Sequence, residues 1–328
     1  MKILYVDLEY DYGIKERGRN IIGLDGFKKS FEKLGHEVDC FFYDNYLHNV
    51  NSLQEKLKQF ADKSAPDLIF FSLFGEQFEI DTLNYLKSKY KTVNWFGDDQ
   101  WRFENFTYKY LNNFTYCITT DKFSIAKYKA LGQNNILYSQ WGAINAHQVV
   151  SSKKYKYDVS FIGGFHPYRK WFIDTLKKRG VKIEAFGNGW ENGPLSASDM
   201  NKLFSQTKIN LNIGNSNSYD LRYLFSHWKA IPLAFKSKKN ASQIKARNFE
   251  IPYFNGFQLT DYIPSIEEYF NIGKEIVCYS NVDEAELLIK YYLNNDKERE
   301  KIKEDAHSRA YHEHGYIHRL KIILEQIT

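Results

Sequence analysis

The chain has 328 residues, of which 43% are hydrophobic and 26% are charged, and its formal net charge is +5. This composition is typical of a globular protein, and the length predicts about two domains. A mainly disordered chain is excluded, and the small net charge does not by itself indicate a nucleic-acid-binding protein. The three cysteines lie far apart in the sequence, which argues against a disulfide scaffold or a structural zinc module.

The first ten residues, MKILYVDLEY, have the pattern of a short strand and not of a signal peptide. No run approaches the roughly 20 apolar residues that span a bilayer, so we expect a cytoplasmic protein. Aromatic residues make up 17% of the chain. They indicate either a bulky core or a surface on which rings or sugars stack, and composition leaves both interpretations open.

Short apolar runs alternate with helical patterns through the first half of the chain. The predicted strands are 2–8, 36–44, 67–74, 91–99, 115–121 and 135–142. The predicted helices are 21–35, 53–62, 80–90 and 123–132. This alternation predicts a doubly wound parallel sheet, and such sheets bind ligands at the carboxyl ends of their strands. The residues expected at this ligand-facing edge are Asp7, Ser72, Asp98, Asp99 and Thr120.

A lysine-rich segment, 149–158, predicts a domain boundary, after which the alternation restarts. The predicted strands are 157–164, 181–190, 208–214, 257–262 and 275–280. The predicted helices are 167–180, 196–207, 243–256, 265–270, 283–295, 296–314 and 315–328. The segment 223–241 fits neither pattern. We therefore expect an α/β protein with two tandem Rossmann-like domains that face a central cleft.

Two glycine turns follow predicted strands of the second half. Gly163–Gly164 precede a helix whose first amide groups could bind a phosphate, and Arg169 and Lys170 would add positive charge there. Gly187 lies in a similar turn, in which Trp190 could stack on a base or a sugar. Both turns could equally be structural. The absence of a full GxGxxG motif argues against a nicotinamide or flavin cofactor.

Arg247 and Glu250 are three residues apart on a predicted helix and therefore lie on nearly one face. Such a pair could bind a nucleotide, because a carboxylate accepts hydrogen bonds from ribose hydroxyls and a guanidinium binds phosphate. The alternative is a surface ion pair, which the spacing alone favours.

A second acidic pair, Asp98–Asp99, follows an apolar strand. These carboxylates could bind a divalent cation, orient a sugar hydroxyl, act as a base, or cap a helix. His312, His314 and His318 crowd the C-terminal helices, but no cysteine or convergent carboxylate accompanies them. We therefore expect no metal site.

Two long runs carry a resemblance to a known family. RNFEIPYFNGFQLTDY (247–262) and the segment from GKEIV to YIHR (273–319) resemble the C-terminal part of CgeB-like glycosyltransferases, a branch of the GT-B, glycosyltransferase-family-4-like group. YDVSFIGGFHPYRKWFIDTL (157–176) and KINLNIGNS (208–216) extend the match. In the first half, VNWFGDDQWRF (93–103) and YCITTDKFSIAKYKALG (116–132) are also similar to that family.

The resemblance implies a GT-B fold with an acceptor-binding domain at 1–150, a donor-binding domain at 151–310, and a last helix, 311–328, that crosses back to the first domain. It implies transfer of a sugar from a nucleoside-diphosphate sugar, a UDP-sugar above all, with retention of configuration and without a metal. The donor-site candidates, including those of the glycine turns, are Gly163, Gly164, Arg169, Lys170, Gly187, Trp190, Arg247, Glu250 and Thr260. The catalytic candidates are Arg247, which would stabilise the leaving diphosphate, and Asp98 or Asp99, which would orient the acceptor or take its proton.

The chain departs from the family pattern at two places. Ser242 stands where related families often carry a glutamate that contacts the donor sugar, and the segment 219–245 is longer than the pattern, as an insertion would be. The expected acceptor is a polysaccharide, a lipid-linked glycan or a protein. The lysine-rich stretches 153–156 and 236–239 keep a hydroxymethylated DNA base as an alternative acceptor. A non-catalytic, two-lobed ligand-binding protein is the alternative from another class.

Overall fold

The structure is a computed structural model that describes residues 1–145, 147–149, 154–214, 218–228, 230–239 and 241–327. The chain divides into two compact units, one formed by Met1–Ala146 with Tyr316–Thr328 and the other by His147–Gly315. The sequence places the corresponding boundaries after residues 150 and 310. The predicted linker, 149–158, lies partly outside the described residues.

The described residues of the first unit contain a six-stranded parallel sheet. Its strands are β1 (Lys2–Asp7), β2 (Glu37–Phe42), β3 (Leu68–Phe71), β4 (Lys91–Phe96), β5 (Tyr116–Thr119) and β6 (Ile136–Tyr138). They are arranged in the order β2-β1-β3-β4-β5-β6. The central strands β1, β3 and β4 are buried on both faces at every position except the first of β1 and of β4, as parallel strands between layers of helices are.

The helices of the first unit that precede β6 occupy the four predicted places and one further region. They are α1 (Lys29–Lys33), α2 (Val50–Ser64), α3 (Ile80–Lys89), α4 (Asp99–Arg102), α5 (Tyr108–Tyr110) and α6 (Ile125–Ala130). The π-helical segment Ile22–Lys28 leads into α1, and another, Phe103–Thr107, joins α4 to α5. The sequence did not predict α4 and α5, which are only four and three residues long and are joined by a π-helical segment, although the buried Phe103, Phe106 and Tyr110 recur at a helical spacing.

The second unit contains a five-stranded parallel sheet in its described residues. Its strands are β7 (Tyr157–Ile162), β8 (Ile183–Phe186), β9 (Thr207–Asn212), β10 (Gln258–Asp261) and β11 (Val277–Tyr279). The order is β11-β10-β9-β7-β8. Both sheets therefore share one strand order when the strands are counted within each unit, 2-1-3-4-5, and β6 extends the first. In sheets of this topology, ligands bind where the strand order reverses, between the first and third strands.

The helices of the second unit include two in the segment that the sequence left unassigned. They are α7 (Pro167–Lys178), α8 (Ala197–Ser205), α9 (Leu221–Ser226), α10 (Ala230–Lys236), α11 (Ala246–Tyr253), α12 (Val282–Asn294) and α13 (Asp296–Glu313). The helix predicted at 265–270 is a single 3₁₀ turn, Ile266–Glu268.

The last helix, α14 (Tyr316–Ile327), belongs to the first unit, so the chain crosses back as the resemblance implies. Tyr316 and Leu320 are fully buried in a core cluster with Phe27, and the Tyr316 and Phe27 rings lie 5.0 Å apart. The helices predicted from the pattern at 296–314 and 315–328 are confirmed as α13 and α14, whereas the last helix of 311–328 that the resemblance implies would include the end of α13. Within the described residues, no helix combines the length and apolarity needed to cross a membrane.

Candidate functional site

Two cavities lie at the carboxyl edges of the two sheets, where the sequence predicts ligand sites. The first has a volume of about 210 Å³, and its wall includes Asp7 after β1, Ser72 after β3, and Asp98 after β4. These residues are far apart in the sequence, and they meet because β1, β3 and β4 are parallel neighbours. The cavity therefore lies at the point where the strand order reverses.

Asp7 is a buried carboxylate at the base of this cavity. Its Oδ1 accepts a hydrogen bond from the Leu8 amide at 2.7 Å, and its Oδ2 accepts from Asn20 Nδ2 at 3.0 Å and from the Tyr5 hydroxyl. Burial raises the pKa of Asp7 to about 7, although these hydrogen bonds oppose the shift. Asp7 can therefore exist in both protonation states near neutral pH.

The two carboxylates of the predicted acidic pair have different surroundings. Asp98 lines the cavity, whereas Asp99 is 1% exposed and accepts hydrogen bonds inside the domain. Asp99 Oδ1 accepts from Thr107 at 2.6 Å, and Oδ2 accepts from Thr119 at 2.6 Å and Tyr128 at 2.8 Å. Burial raises the pKa of Asp99 to about 6. Three hydroxyl donors give Asp99 a structural role, so Asp98 is the better placed of the two catalytic candidates.

Aromatic side chains form much of the remaining wall of this cavity. Trp95 and Trp141 line it with ring centroids 5.9 Å apart. The indole nitrogen of Trp95 is buried and has no hydrogen-bond partner among the described residues. Thr120, also predicted at this edge, instead donates to the Gly97 carbonyl at 3.0 Å.

In the second domain, Arg169 lies at the equivalent reversal of strand order. Its guanidinium donates to the Ile213 carbonyl at 2.9 Å and to the Gly164 carbonyl at 3.0 Å, which ties the turn after β7 to the end of β9. Burial lowers the pKa of Arg169 to about 10; the nearby Asp261 opposes this shift and Arg247 adds to it. Arg169 and Arg247 are thus brought close enough to interact electrostatically, as a site for a diphosphate requires.

Lys170, the neighbour of Arg169, points elsewhere. Its ammonium nitrogen lies 2.8 Å from Asp174 Oδ2, and its side chain is 53% exposed. This is a surface pair four residues apart on α7, and it does not place Lys170 with the two arginines.

The glycine turns pack against each other. The Trp190 indole donates to the Gly163 carbonyl at 2.9 Å, and its ring contacts Phe161 with centroids 5.8 Å apart. Gly187 has a φ of +130°, and a Cβ added there would lie 2.3 Å from the Gly163 carbonyl oxygen. Gly164 has open space around its Cα. The turns therefore have a packing role at Gly187 and Trp190, while Gly164 leaves room for a ligand.

The Arg247–Glu250 pair on α11 is not at the surface. Arg247 Nη1 lies 2.7 Å from Glu250 Oε2, and the two side chains are 23% and 7% exposed. The Arg247 guanidinium also lies over the Phe204 ring, 5.3 Å from its centroid. A buried carboxylate needs partners to offset its desolvation, and a pair of this kind is uncommon without a structural or functional reason. The burial therefore argues against a surface ion pair, and it leaves two roles for the pair: binding of a nucleotide or packing of α11 within the domain.

Thr260 is fully buried and connects α11 to the sheet. Its hydroxyl accepts hydrogen bonds from Asn212 at 3.2 Å and from Asn248 at 3.3 Å. Asn248 lies on the same helix as the charged pair. Thr260 therefore fixes the position of α11, and its hydroxyl is already engaged in hydrogen bonds within the domain.

Sequence reasoning did not select Asp261, the residue after Thr260. Asp261 Oδ1 accepts a hydrogen bond from the Gly214 amide at 3.2 Å, and burial raises its pKa to about 6. It lines a second cavity of about 370 Å³ together with Tyr168, Tyr279 and Ser242. The position of Asp261 at the carboxyl end of β10 is the signal that would have identified it.

Comparisons with known proteins were made for the sequence and for the fold. Residues 169–325, which include Arg169 and the α11 pair, match a family model described as glycosyl transferase-like. No match was found among curated proteins.

Solved structures of similar fold cover the whole chain. HepE from Anabaena, in complex with UDP and glucose, is 13% identical with a TM-score of 0.63, and the alignment covers 100% of this chain and 99% of HepE. Sucrose-phosphate synthase from Thermosynechococcus elongatus is 8% identical with a TM-score of 0.62 over 100% and 99% of the two chains. An α1,3-fucosyltransferase with GDP-fucose is 14% identical with a TM-score of 0.55 over 100% and 90%.

These likenesses show the fold. The chain has the fold of GT-B glycosyltransferases, two parallel-sheet α/β domains, which confirms the fold predicted from the sequence. The family match to residues 169–325 and this fold support a transferase enzyme of the glycosyltransferase class.

Proposed function

We propose that the chain transfers a sugar from a nucleoside-diphosphate sugar to an acceptor hydroxyl, with the donor held by the second domain and the acceptor by the first. The observation that carries this proposal is the buried Arg247–Glu250 pair, which lies within the segment that matches the glycosyltransferase-like family. A UDP-sugar is the favoured donor, because HepE, a protein of the same fold, is known in complexes with UDP and with UDP-glucose.

In the proposed mechanism, Glu250 accepts hydrogen bonds from the donor ribose, and Arg247 and Arg169 face the diphosphate. Negative charge grows on the diphosphate as the bond to the sugar breaks, so guanidinium groups in a fixed position stabilise the transition state more than the ground state. Two guanidiniums supply this charge without a metal ion. Metal independence, retention of configuration, membership of the CgeB-like branch and a cytoplasmic location are further parts of the proposal that rest on the family resemblance.

The cavity of the first domain is the proposed acceptor site. Its volume of about 210 Å³ is below the roughly 300–1,000 Å³ of pockets for drug-sized ligands, and it is therefore of a size for a smaller group such as one sugar ring. The aromatic wall suits the stacking of a sugar ring. Asp7 and Asp98 disfavour a phosphate at this position, which favours a glycan acceptor over DNA. Asp98 would orient the attacking hydroxyl.

Calorimetric titration of UDP-glucose and of UDP tests the donor site. We expect Glu250→Ala to weaken binding by at least about tenfold, because it removes the ribose acceptor and leaves Arg247 without its buried partner. Glu250→Gln keeps the side-chain volume and should also weaken binding. Glu286→Gln, which removes a carboxylate that pairs with Arg179 at 2.8 Å and with Lys290, is the control and should bind normally.

Circular dichroism of each variant distinguishes a lost contact from a lost fold. Wild-type affinity for UDP and UDP-glucose in a folded Glu250→Ala variant would contradict the assignment of this site. Normal binding by the Glu286→Gln control is required for the comparison to be valid.

A further inference from the structure

The most exposed large apolar side chains of the described residues are concentrated on α9 and α10 of the second domain. Phe225, Trp228 and Phe235 are 79%, 77% and 75% exposed, more than any other large hydrophobic side chain among the described residues. We call the exposed apolar residues of this region the α9–α10 patch; its members are Tyr219, Leu221, Phe225, Trp228, Ile231 and Phe235. A cluster of this kind marks an interaction surface, whereas single exposed apolar residues are ordinary.

The helix α10 buries two small side chains and exposes two large apolar ones. Ala230 and Ala234 are 1% and 3% exposed, while Ile231 and Phe235 are 40% and 75% exposed. Residues four apart lie on one face of a helix, so Ala230 and Ala234 face the domain, whereas Ile231 and Phe235 face outward. A helix that only packs against its own domain would bury the large side chains.

The helix α9 also has a face packed against the domain and an exposed apolar face. Tyr223 is 4% exposed and contacts Tyr168 and Trp171, with ring centroids 5.3 and 5.8 Å away. Leu221 and Phe225, four residues apart, are 65% and 79% exposed. Tyr223 therefore packs the inner face of α9 against the domain, and Leu221 and Phe225 lie on the outward face.

Basic residues adjoin the patch directly. Lys236 and Lys238 are exposed at the end of α10, and Lys239 follows half-buried. Aromatic side chains next to lysines fit the boundary of a lipid bilayer, where rings lie at the level of the headgroups and ammonium groups reach the phosphates. An anionic lipid surface adds an electrostatic attraction to each nearby lysine.

We propose that the α9–α10 patch docks the protein on an anionic membrane surface, with Phe225, Trp228 and Phe235 inserted at headgroup level. A second copy of the chain fits less well, because lysine is depleted from protein–protein interfaces. Nucleic acid fits less well too, because branched side chains such as Leu221 and Ile231 offer no face for stacking on bases. The docking goes beyond the proposed sugar transfer and does not depend on it.

Flotation of the full chain with lipid vesicles tests the proposal. We expect it to float with vesicles of phosphatidylcholine and phosphatidylglycerol and not with phosphatidylcholine alone. The triple variant Phe225→Ser, Trp228→Ser, Phe235→Ser should lose flotation, and it should fold because these side chains are exposed. The matched control is Phe123→Ser with Leu287→Ser, whose side chains are 64% and 69% exposed elsewhere, and it should float as the wild type does.

The lysines are tested separately. Lys236→Gln with Lys238→Gln should weaken partitioning into anionic vesicles by about tenfold or more, because each lysine near such a surface contributes to binding. Lys177→Gln with Lys178→Gln removes the same charge from an exposed part of α7 and should have a much smaller effect. The tryptophan fluorescence should shift to the blue on addition of anionic vesicles, and Trp228→Phe should abolish the shift.

Three results would overturn the proposal. The first is the absence of flotation with anionic vesicles, or equal flotation of the triple variant and the wild type. The second is a concentration-dependent dimer in sedimentation velocity that only the triple variant loses, since this would make the patch an interface between copies. The third is salt-dependent DNA binding that depends on the same residues. Binding of UDP-glucose, measured in parallel, keeps a failure of membrane docking distinct from a failure of the proposed transfer.

Discussion

Two buried carboxylates, Asp7 and Asp99, and the half-buried Asp261 lie at carboxyl edges of the two sheets, and desolvation raises the pKa of each. Raised carboxyl pKa values occur at functional sites and in buried networks, so contacts must distinguish the two. Asp99 is surrounded by three hydroxyl donors inside the first domain, whereas Asp7 and Asp261 each line a cavity. Asp7 and Asp261 are therefore the members of this group that a ligand can reach.

The pKa of Asp7 predicts how its replacement changes stability with pH. The folded-state pKa of about 7 lies above the ordinary value of 3.8, so the native state holds this proton more tightly than the unfolded state. Between about pH 4 and about pH 7, ionisation of Asp7 therefore lowers the free energy of unfolding as the pH rises. Asp7→Asn lacks this contribution, so urea unfolding should show the variant gaining stability relative to the wild type across this range.

A control of the opposite kind is Asp283→Asn. Hydrogen bonds from Arg179 and Arg222 lower the pKa of Asp283, so its stabilising contribution is already present above about pH 4 and is lost below it. Between about pH 4 and about pH 7, the free energy of unfolding of Asp283→Asn should therefore not rise relative to that of the wild type. A constant difference between Asp7→Asn and the wild type over this range would contradict the account of Asp7.

At the scale of elements, the turn after β8 is fixed by one glycine. Gly187 has a φ of +130°, and a Cβ there would lie 2.3 Å from the Gly163 carbonyl oxygen. Gly187→Ala should lower the free energy of unfolding by about 1–3 kcal/mol, because the new Cβ would clash with the Gly163 carbonyl and the backbone would be strained at this φ. Gly164→Ala, where a Cβ meets nothing within 4 Å, is the control and should be within about 0.5 kcal/mol of the wild type. Equal urea-unfolding midpoints for the two variants would contradict this role of Gly187.

Ten of the eleven strands of the described residues fall within runs that the sequence predicts, and β9 begins one residue before its run, because parallel strands are short, largely apolar and bounded by polar turns. Helices with an ordinary pattern, such as α2 and α12, were equally evident. The exceptions have physical causes. The region of α4 and α5 is divided by the π-helical segment Phe103–Thr107 into helices of four and three residues, which are too short for a pattern to be evident. The helix α10 exposes Ile231 and Phe235 and buries Ala230 and Ala234, so it lacks the usual amphipathic pattern.

The site was predictable in outline and not in its side-chain directions. The rule that ligands bind at the carboxyl ends of parallel strands selected Asp7, Ser72 and Asp98 for one edge, and all three line its cavity. The sequence does not reveal that Asp99 turns inward while Asp98 faces the cavity, because adjacent residues at the end of a strand differ only in local backbone direction. It also does not reveal the burial of Glu250, which depends on the packing of α11 within the second domain.

At the scale of the whole molecule, two domains with one shared strand order each provide a cavity at the same edge of the sheet. Both cavities are lined by aromatic residues and carboxylates, and Arg169 and Arg247 of the second domain lie outside the lining of its cavity. The proposal of an anionic donor in the second domain therefore depends on these two arginines and not on the lining of the cavity.

Thermal unfolding of the full chain with a panel of UDP-, GDP- and CDP-sugars tests the central claim most directly. A ligand at 100 times its dissociation constant adds about 2.7 kcal/mol to the stability of the native state, which raises the unfolding temperature by several degrees. We expect such a rise with at least one donor, UDP-glucose or another UDP-sugar first, and a smaller rise in Glu250→Gln at the same concentration. No rise with any nucleotide-sugar, or the same rise in both proteins, would contradict the assignment of a donor site to Arg247 and Glu250.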